Sequence, residues 1–242
     1  MADTALADLR EQALHCQNCP LFADATQTVF GEGPAPSELM FVGEAPGDQE
    51  DRQGRPFVGP AGQLFDRALE EVGIDRRRIY LTNAVKHFKF ILRGRRRIHQ
   101  KPDRSEIEAC KFWLFSEIEL VQPRLIVAMG ATAAQALMGR VATIGRERGR
   151  FQHYPPDRHL FVTVHPSFLL RVPDERAKAL EYARFVQELR MIAEGPPVPV
   201  EKPEVARPVA ALPEGAPARE AERKPRRGGR KASGGEGQFS LF

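Results

Sequence analysis

Three groups of side chains in this 242-residue sequence have the types and spacings that do chemistry. The first is Arg93-Gly94-Arg95-Arg96-Arg97-Ile98-His99, a strongly basic loop that ends on an imidazole. Guanidinium forks match the oxygens of a nucleic-acid backbone, and the histidine is the group able to act as acid, base or nucleophile. A solvated charged surface with a structural histidine is the plainer use of the same residues. The second group is Cys16-Gln17-Asn18-Cys19, with Cys110 far along the chain. The C-x-x-C spacing puts two thiolates on one turn, within reach of one metal centre. A redox dithiol is the other use of that spacing, although no strand precedes it as in a thioredoxin-like unit. The third group is dispersed: the carboxylate of Glu44, the amide of Asn83 and the imidazole of His165.

The elements around these residues explain how they can meet. Leu39-Met40-Phe41-Val42 is a continuous apolar run, and Ile79 to Val85, Leu125 to Gly130 and Leu160 to Val164 are mostly apolar, the pattern of strands buried on both faces. Helical patterns separate them: residues 3–15, Gln63 to Val72, a helix starting at Pro102-Asp103-Arg104-Ser105 and running to about Leu120, and Asp174 to Ala193. The expected fold is therefore α/β, a three-layer α/β/α domain around a central four-stranded parallel sheet. In such sheets ligands bind beyond the carboxyl ends of the strands. Glu44, Asn83 and His165 each follow or end a strand, so all three are expected at one crevice with the basic loop beside it. Asn83 there can read a nucleobase edge by donating one hydrogen bond and accepting another; capping a loop is its other use. Residues 43–62 hold repeated Gly and Pro with Asp48, Glu50 and Asp51, and read as one long loop, longer than an ordinary βα turn requires.

Composition bounds the rest. The net charge is +4 and three cysteines are too few for a disulfide scaffold, so an intracellular, cytoplasmic location is expected. No apolar run approaches the ~20 residues of a membrane helix, and Met1-Ala2-Asp3-Thr4 does not begin a secretory signal. The basic residues between Lys86 and Lys101 form a local patch on a near-neutral domain, which suggests a specific polyanion site. From Gly195 the chain is rich in Pro, Ala, Glu, Arg and Gly and cannot bury enough apolar surface to fold. Three parts are expected: a domain over 1–194, a disordered tether over 195–237, and a docking peptide, Gln238-Phe239-Ser240-Leu241-Phe242, over 238–242.

Gly43-Glu44-Ala45-Pro46-Gly47, Gly54-Arg55-Pro56-Phe57-Val58-Gly59, Asn83 and His165-Pro166-Ser167 together resemble the uracil-DNA glycosylase superfamily, iron–sulfur type (family 4), over about residues 10–193. The loop ending Arg-Arg-Ile-His resembles that of its UdgX branch, whose hallmark is Lys-Arg-Arg-Ile-His. Arg95 stands in the lysine's place, and Ala45 where that branch usually has Gln.

The resemblance implies a role for each matched residue. Phe57 would stack on an extruded uracil and Asn83 would bond its pairing edge, with Gly43 and Ala45 alongside. Glu50 would crowd the place of a thymine methyl. Glu44 would orient water or stabilise the sugar cation, and His165 would stabilise the departing base. His99 would become covalently attached to DNA. Arg95, Arg96, Arg97, Ser167 and Arg171 would contact the DNA. Cys16, Cys19 and Cys110 would hold a [4Fe–4S] cluster, with His87 where the family has its fourth cysteine. Imidazole replaces thiolate on iron in Rieske centres. The cluster would pin the basic loop between His87 and Cys110.

The implied substrate is uracil-containing DNA, above all single-stranded DNA, where extruding the base costs least. The implied outcome is a single event that leaves the protein on the sugar; ordinary turnover hydrolysis is the alternative. The terminal peptide resembles the bacterial sliding-clamp-binding motif. The protein is expected to act as a monomer, away from membranes.

Overall fold

The computed structural model describes residues 2–196. The tether falls almost wholly, and the terminal peptide wholly, outside the described residues.

The four apolar runs form the centre of a sheet because each is covered on both faces. They are β1 (Leu39–Gly43), β2 (Tyr80–Asn83), β5 (Leu125–Met129) and β7 (Arg158–Thr163), all mutually parallel in the order β2-β1-β5-β7. Alternate residues of one strand serve opposite layers. Met40, Val42, Ile126 and Ala128 pack under α1 (Ala2–Leu14), α4 (Arg104–Val121) and α5 (Ala131–Met138). Phe41, Val127, Met129 and Phe161 pack under α3 (Pro60–Glu71) and α8 (Glu175–Glu194). The expected three-layer α/β/α fold around four parallel strands is present. Local sequence sets the helix starts: Asp103 and Glu106 close a capping box on α4, and the Asp174 side chain accepts from Ala177 N–H on α8.

Three features depart from the expectations. A fifth strand, β6 (Phe151–Tyr154), pairs antiparallel with β7 at the sheet edge. Its Phe-Gln-His-Tyr sequence lacks the apolar run that marks the central strands. The stretch over 43–62 is interrupted by the short helix α2 (Asp48–Gln53), which ends at Gly54 with φ 69°, and Pro60 already begins α3. The basic loop is a hairpin, β3 (Phe90–Arg93) against β4 (Arg96–His99). Gly94, with φ 59°, is the first central residue of its two-residue turn, the place where a II′ hairpin needs glycine. Two short helices, α6 (Ile144–Glu147) and α7 (Pro166–Arg171), flank the strand ends. No described helix is long and apolar enough to cross a membrane.

Candidate active site

The parallel strands deliver their C-terminal ends to one crevice of about 720 Å³. It is lined by Glu44 and Ala45 after β1, Asn83 at the end of β2, Gly130 after β5 and His165 after β7. Glu50, Phe57 and His99 reach it from α2, the following loop and β4. A methyl group on Gly43 would stand 2.4 Å from Asn83 Oδ1, 2.7 Å from Phe57 Cζ and 3.3 Å from His165 Nε2. Amide, aromatic face and imidazole thus converge over the one residue that leaves them room.

Phe57 is held in an uncommon conformation, φ 56°, which costs a non-glycine residue about 1–2 kcal/mol. The surroundings enforce it. Arg76 donates to its carbonyl at 3.3 Å, and Gly62 lies so close beneath its backbone that no side chain fits there. The Phe57 and His165 rings lie stacked, 6.1 Å between centroids. Glu50 is buried and accepts the Gly59 N–H at 2.7 Å, so it fixes the Phe57 loop as well as lining the crevice.

His165 accepts the Ser167 N–H on Nδ1, which leaves its proton on Nε2, the nitrogen facing Gly43. Burial drives its pKa down to about 4, with the charges of His99 and Arg171 adding, so it is a neutral donor at pH 7. Arg171 in turn donates to the Ser167 hydroxyl at 3.2 Å. Glu44 accepts a hydrogen bond from Thr132, and its other oxygen stands 3.9 Å from His99 Nε2. Desolvation in the crevice lowers the His99 pKa, against the pull of Glu44 and with help from Arg171. The lowering comes from partial desolvation by the crevice walls and from Arg171 of α7, although the His99 side chain keeps 40% of its surface exposed.

Those arginines divide. Arg93, Arg95 and Arg96 are exposed and have no ion-pair partner among the described residues. Arg97 is engaged within the protein. Its guanidinium binds Asp48 at 2.5 Å and Asp51 at 2.6 Å and lies over the rings of Phe88 and Phe90. Strand alternation explains it: Arg97 shares the inward face with Phe90 and His99, while Arg93 and Arg96 face the other way.

The cysteine corner lies at the far end of the Asn83 turn. Cys16, Cys19 and Cys110 are buried and unbridged. A hydrogen bond from the Cys110 thiol holds Cys19 down to about 4, and Cys110 itself is pushed up. The Trp113 indole N–H reaches Cys16 Sγ at 3.1 Å. The Thr28 hydroxyl donates to Ala13 O, so at 2.9 Å it must accept from His87 Nε2. That leaves His87 Nδ1 as a bare lone pair, buried and without a partner. Among the described residues no three side chains are arranged to hold a single metal ion. A four-iron cluster takes its ligands on separate irons, so they stand further apart than those of one ion.

The uracil DNA glycosylase superfamily model matches residues 30–190. The chain belongs to the uracil-DNA glycosylase superfamily. It is 39% identical over 162 residues to a type-4 uracil-DNA glycosylase of Thermotoga maritima, covering 66% of this chain and 81% of that one. It is 37% identical over 180 residues to one of Pyrobaculum aerophilum, covering 72% and 88%. With one of Sulfurisphaera tokodaii it shares 32% over 193 residues, 76% and 84% of the two chains.

Within this superfamily member, the contributions of four residues escaped sequence reading. Thr132 steadies Glu44, and its position just beyond β5 at the ligand-binding edge was the available signal. Asp48 and Asp51 hold the hairpin, and nothing in their spacing shows a partner 46 or 49 residues away. Thr28 fixes the His87 tautomer from outside every motif.

Proposed function

We propose that this protein is a uracil-DNA glycosylase of the iron–sulfur, UdgX-like kind that removes uracil and stays joined to the sugar through His99. The observation that carries the reading is the convergence of Asn83, Phe57 and His165 over Gly43, with His99 Nε2 3.9 Å from Glu44. Superfamily membership and the type-4 relatives support the glycosylase part.

Cleavage of the C1′–N1 bond leaves positive charge on the sugar and negative charge on the base, and a preorganised site must match both. Glu44 supplies the negative charge. The Nε2–H of neutral His165 supplies the donor for the uracil anion. Phe57 offers a stacking face worth ~1–3 kcal/mol per base to an extruded uracil. The neutral Nε2 of His99 then forms the new bond to C1′. The imidazolium loses its remaining ring proton and the uracil anion takes one up, so one proton passes in balance from protein to base. Arg93, Arg95 and Arg96 hold the backbone of single-stranded DNA, with Ser167 and Arg171 on the opposite rim.

A [4Fe–4S] cluster fits Cys16, Cys19, Cys110 and the bare Nδ1 of His87. Bound there, it ties the end of α1, the turn after β2 and α4 together and has a structural role. In our reading the protein works as a cytoplasmic monomer, and the peptide Gln238 to Phe242 docks on a replication sliding clamp. Deleting that peptide is expected to abolish clamp pull-down and leave activity on naked oligonucleotides unchanged; equal pull-down by both forms would refute the docking.

The deciding experiment mixes the protein with uracil-containing single-stranded DNA and runs a denaturing gel. A shifted band with uracil and not thymine is expected, and His99→Ser should abolish it while releasing free uracil. A band that survives His99→Ser removes His99 as nucleophile. Catalytic release of uracil by the unsubstituted protein, with no band, supports the turnover reading, which the type-4 relatives and Ala45 favour.

A further inference from the structure

Behind the crevice, at the end of β2, lies an ion pair that no step above uses. Lys86 and Glu117 are 2.5 Å apart, and both side chains are wholly buried. The three N–H donors of the ammonium are all engaged: Glu117 Oε2, Thr82 Oγ1 at 2.6 Å and the main-chain carbonyl of Asn83 at 2.9 Å. The carboxylate is equally saturated. Its Oε2 also accepts from the Thr82 hydroxyl, and its Oε1 accepts the Gly31 N–H at 2.9 Å and the Tyr80 hydroxyl at 3.2 Å. Gly31 must be glycine for this approach, since a methyl there would meet Glu117 Oε1 at 2.5 Å.

We propose that Lys86, locked by Glu117, is the positioning residue for the Asn83 amide and thereby sets discrimination of uracil from cytosine. Stability alone does not call for such a pair, because apolar replacements of a buried ion pair are often neutral or stabilising. What the pair supplies is a fixed direction. After Asn83 the Ala84 and Val85 N–H groups are held by the carbonyls of Gly43 and Glu44. The Asn83 carbonyl points the other way, into the ammonium. The peptide that carries the amide is thus gripped from both sides, and a fully satisfied buried polar network has one arrangement. Uracil presents an N–H donor and a carbonyl acceptor at its pairing edge, and cytosine presents the reverse. An amide held in one orientation bonds the first and opposes the second. An amide free to tilt loses the preference.

The inference rests on the reading of Asn83 as the uracil-reading group. It is tested with the double variant K86M/E117Q, which removes both charges together. Single-turnover uracil release from a single-stranded oligonucleotide is expected to fall about 10²-fold, the cost of a small misplacement made outside the reacting groups. The oligonucleotide concentration for half-maximal rate should stay within about twofold, since the hairpin and rim contacts are intact. The ratio of uracil to cytosine release should fall about tenfold or more. A folded variant with lowered Tm but unchanged rate and ratio has lost only stability, and overturns the proposal. Should the double variant not fold, Thr82→Val, which keeps the pair and removes one acceptor of the ammonium, is expected to slow uracil release about threefold; an unchanged rate overturns the proposal there too. The unsubstituted protein on the same oligonucleotide separates the two claims. If it releases no uracil, the glycosylase reading fails; if it does and the variants match it, only the role of Lys86 fails.

Discussion

The guanidinium of Arg97 reaches the wholly buried carboxylate of Asp51 at 2.6 Å. The hairpin that carries His99 is thereby hung on α2, the helix that also carries Glu50. Asp51 further accepts the Thr26 N–H, so the clasp joins three segments. Arg97→Met leaves Asp51 without its charged partner, and breaking a buried pair costs about 3–5 kcal/mol when both groups are enclosed. Arg97 is partly exposed, so the cost here is smaller and falls on the hairpin. The expected result is adduct formation reduced at least about tenfold, with free-uracil release kept within a few fold, because misplacing one reacting group is costly while the others stay in place. Parallel gel and uracil assays check it; equal loss of both would show that the clasp supports the whole site.

Gly43→Ala should be severe for activity and mild for the fold. The new methyl meets Asn83 Oδ1 at 2.4 Å and Phe57 Cζ at 2.7 Å, both crevice groups, so they must move. Uracil release is expected to fall about 10²-fold with an unchanged circular dichroism spectrum. Activity within threefold of the original would show that the three groups do not converge on the base.

The pH dependence of adduct formation follows from His99. Its pKa is lowered below 6.5, first by partial desolvation in the crevice, so the neutral, attacking form dominates above the folded pKa. The rate should be level from pH 7 to 8 and fall in acid with a midpoint below 6.5. Arg171 is one cause of the lowering, so Arg171→Gln should move the midpoint upward at saturating DNA. A midpoint above 6.5 in the unsubstituted protein would contradict the neutral nucleophile.

The cluster assignment predicts brown protein containing iron and sulfide. His87→Ala should lower the iron-to-protein ratio and the visible absorbance, and His87→Cys should restore both. Protein prepared without oxygen that is colourless, iron-free and fully active would end the assignment.

The sequence by itself determined the frame. Four short, mostly apolar runs separated by helical patterns read as strands covered on both faces, and parallel order then sends Glu44, Asn83 and His165 to one edge. Those inferences need only local composition and handedness, which is why they agree with β1, β2, β5 and β7 as found. Motif spacing also carried the superfamily, since Gly43 to Gly47, Asn83 and His165 stand in its order. What the sequence could not show depends on partners distant along the chain. The run 93–99 reads as loop because its charges hide the period of a hairpin, and only pairing reveals that Arg97 turns inward to Asp48 and Asp51. The neutral state of His165 comes from burial and that of its Nδ1 from the Ser167 N–H, both products of packing. The same holds for the bare Nδ1 of His87, which depends on one hydroxyl, that of Thr28, already committed to Ala13. Residue types set what chemistry is possible; long-range contacts decided which nitrogen carries a proton and which arginine is free.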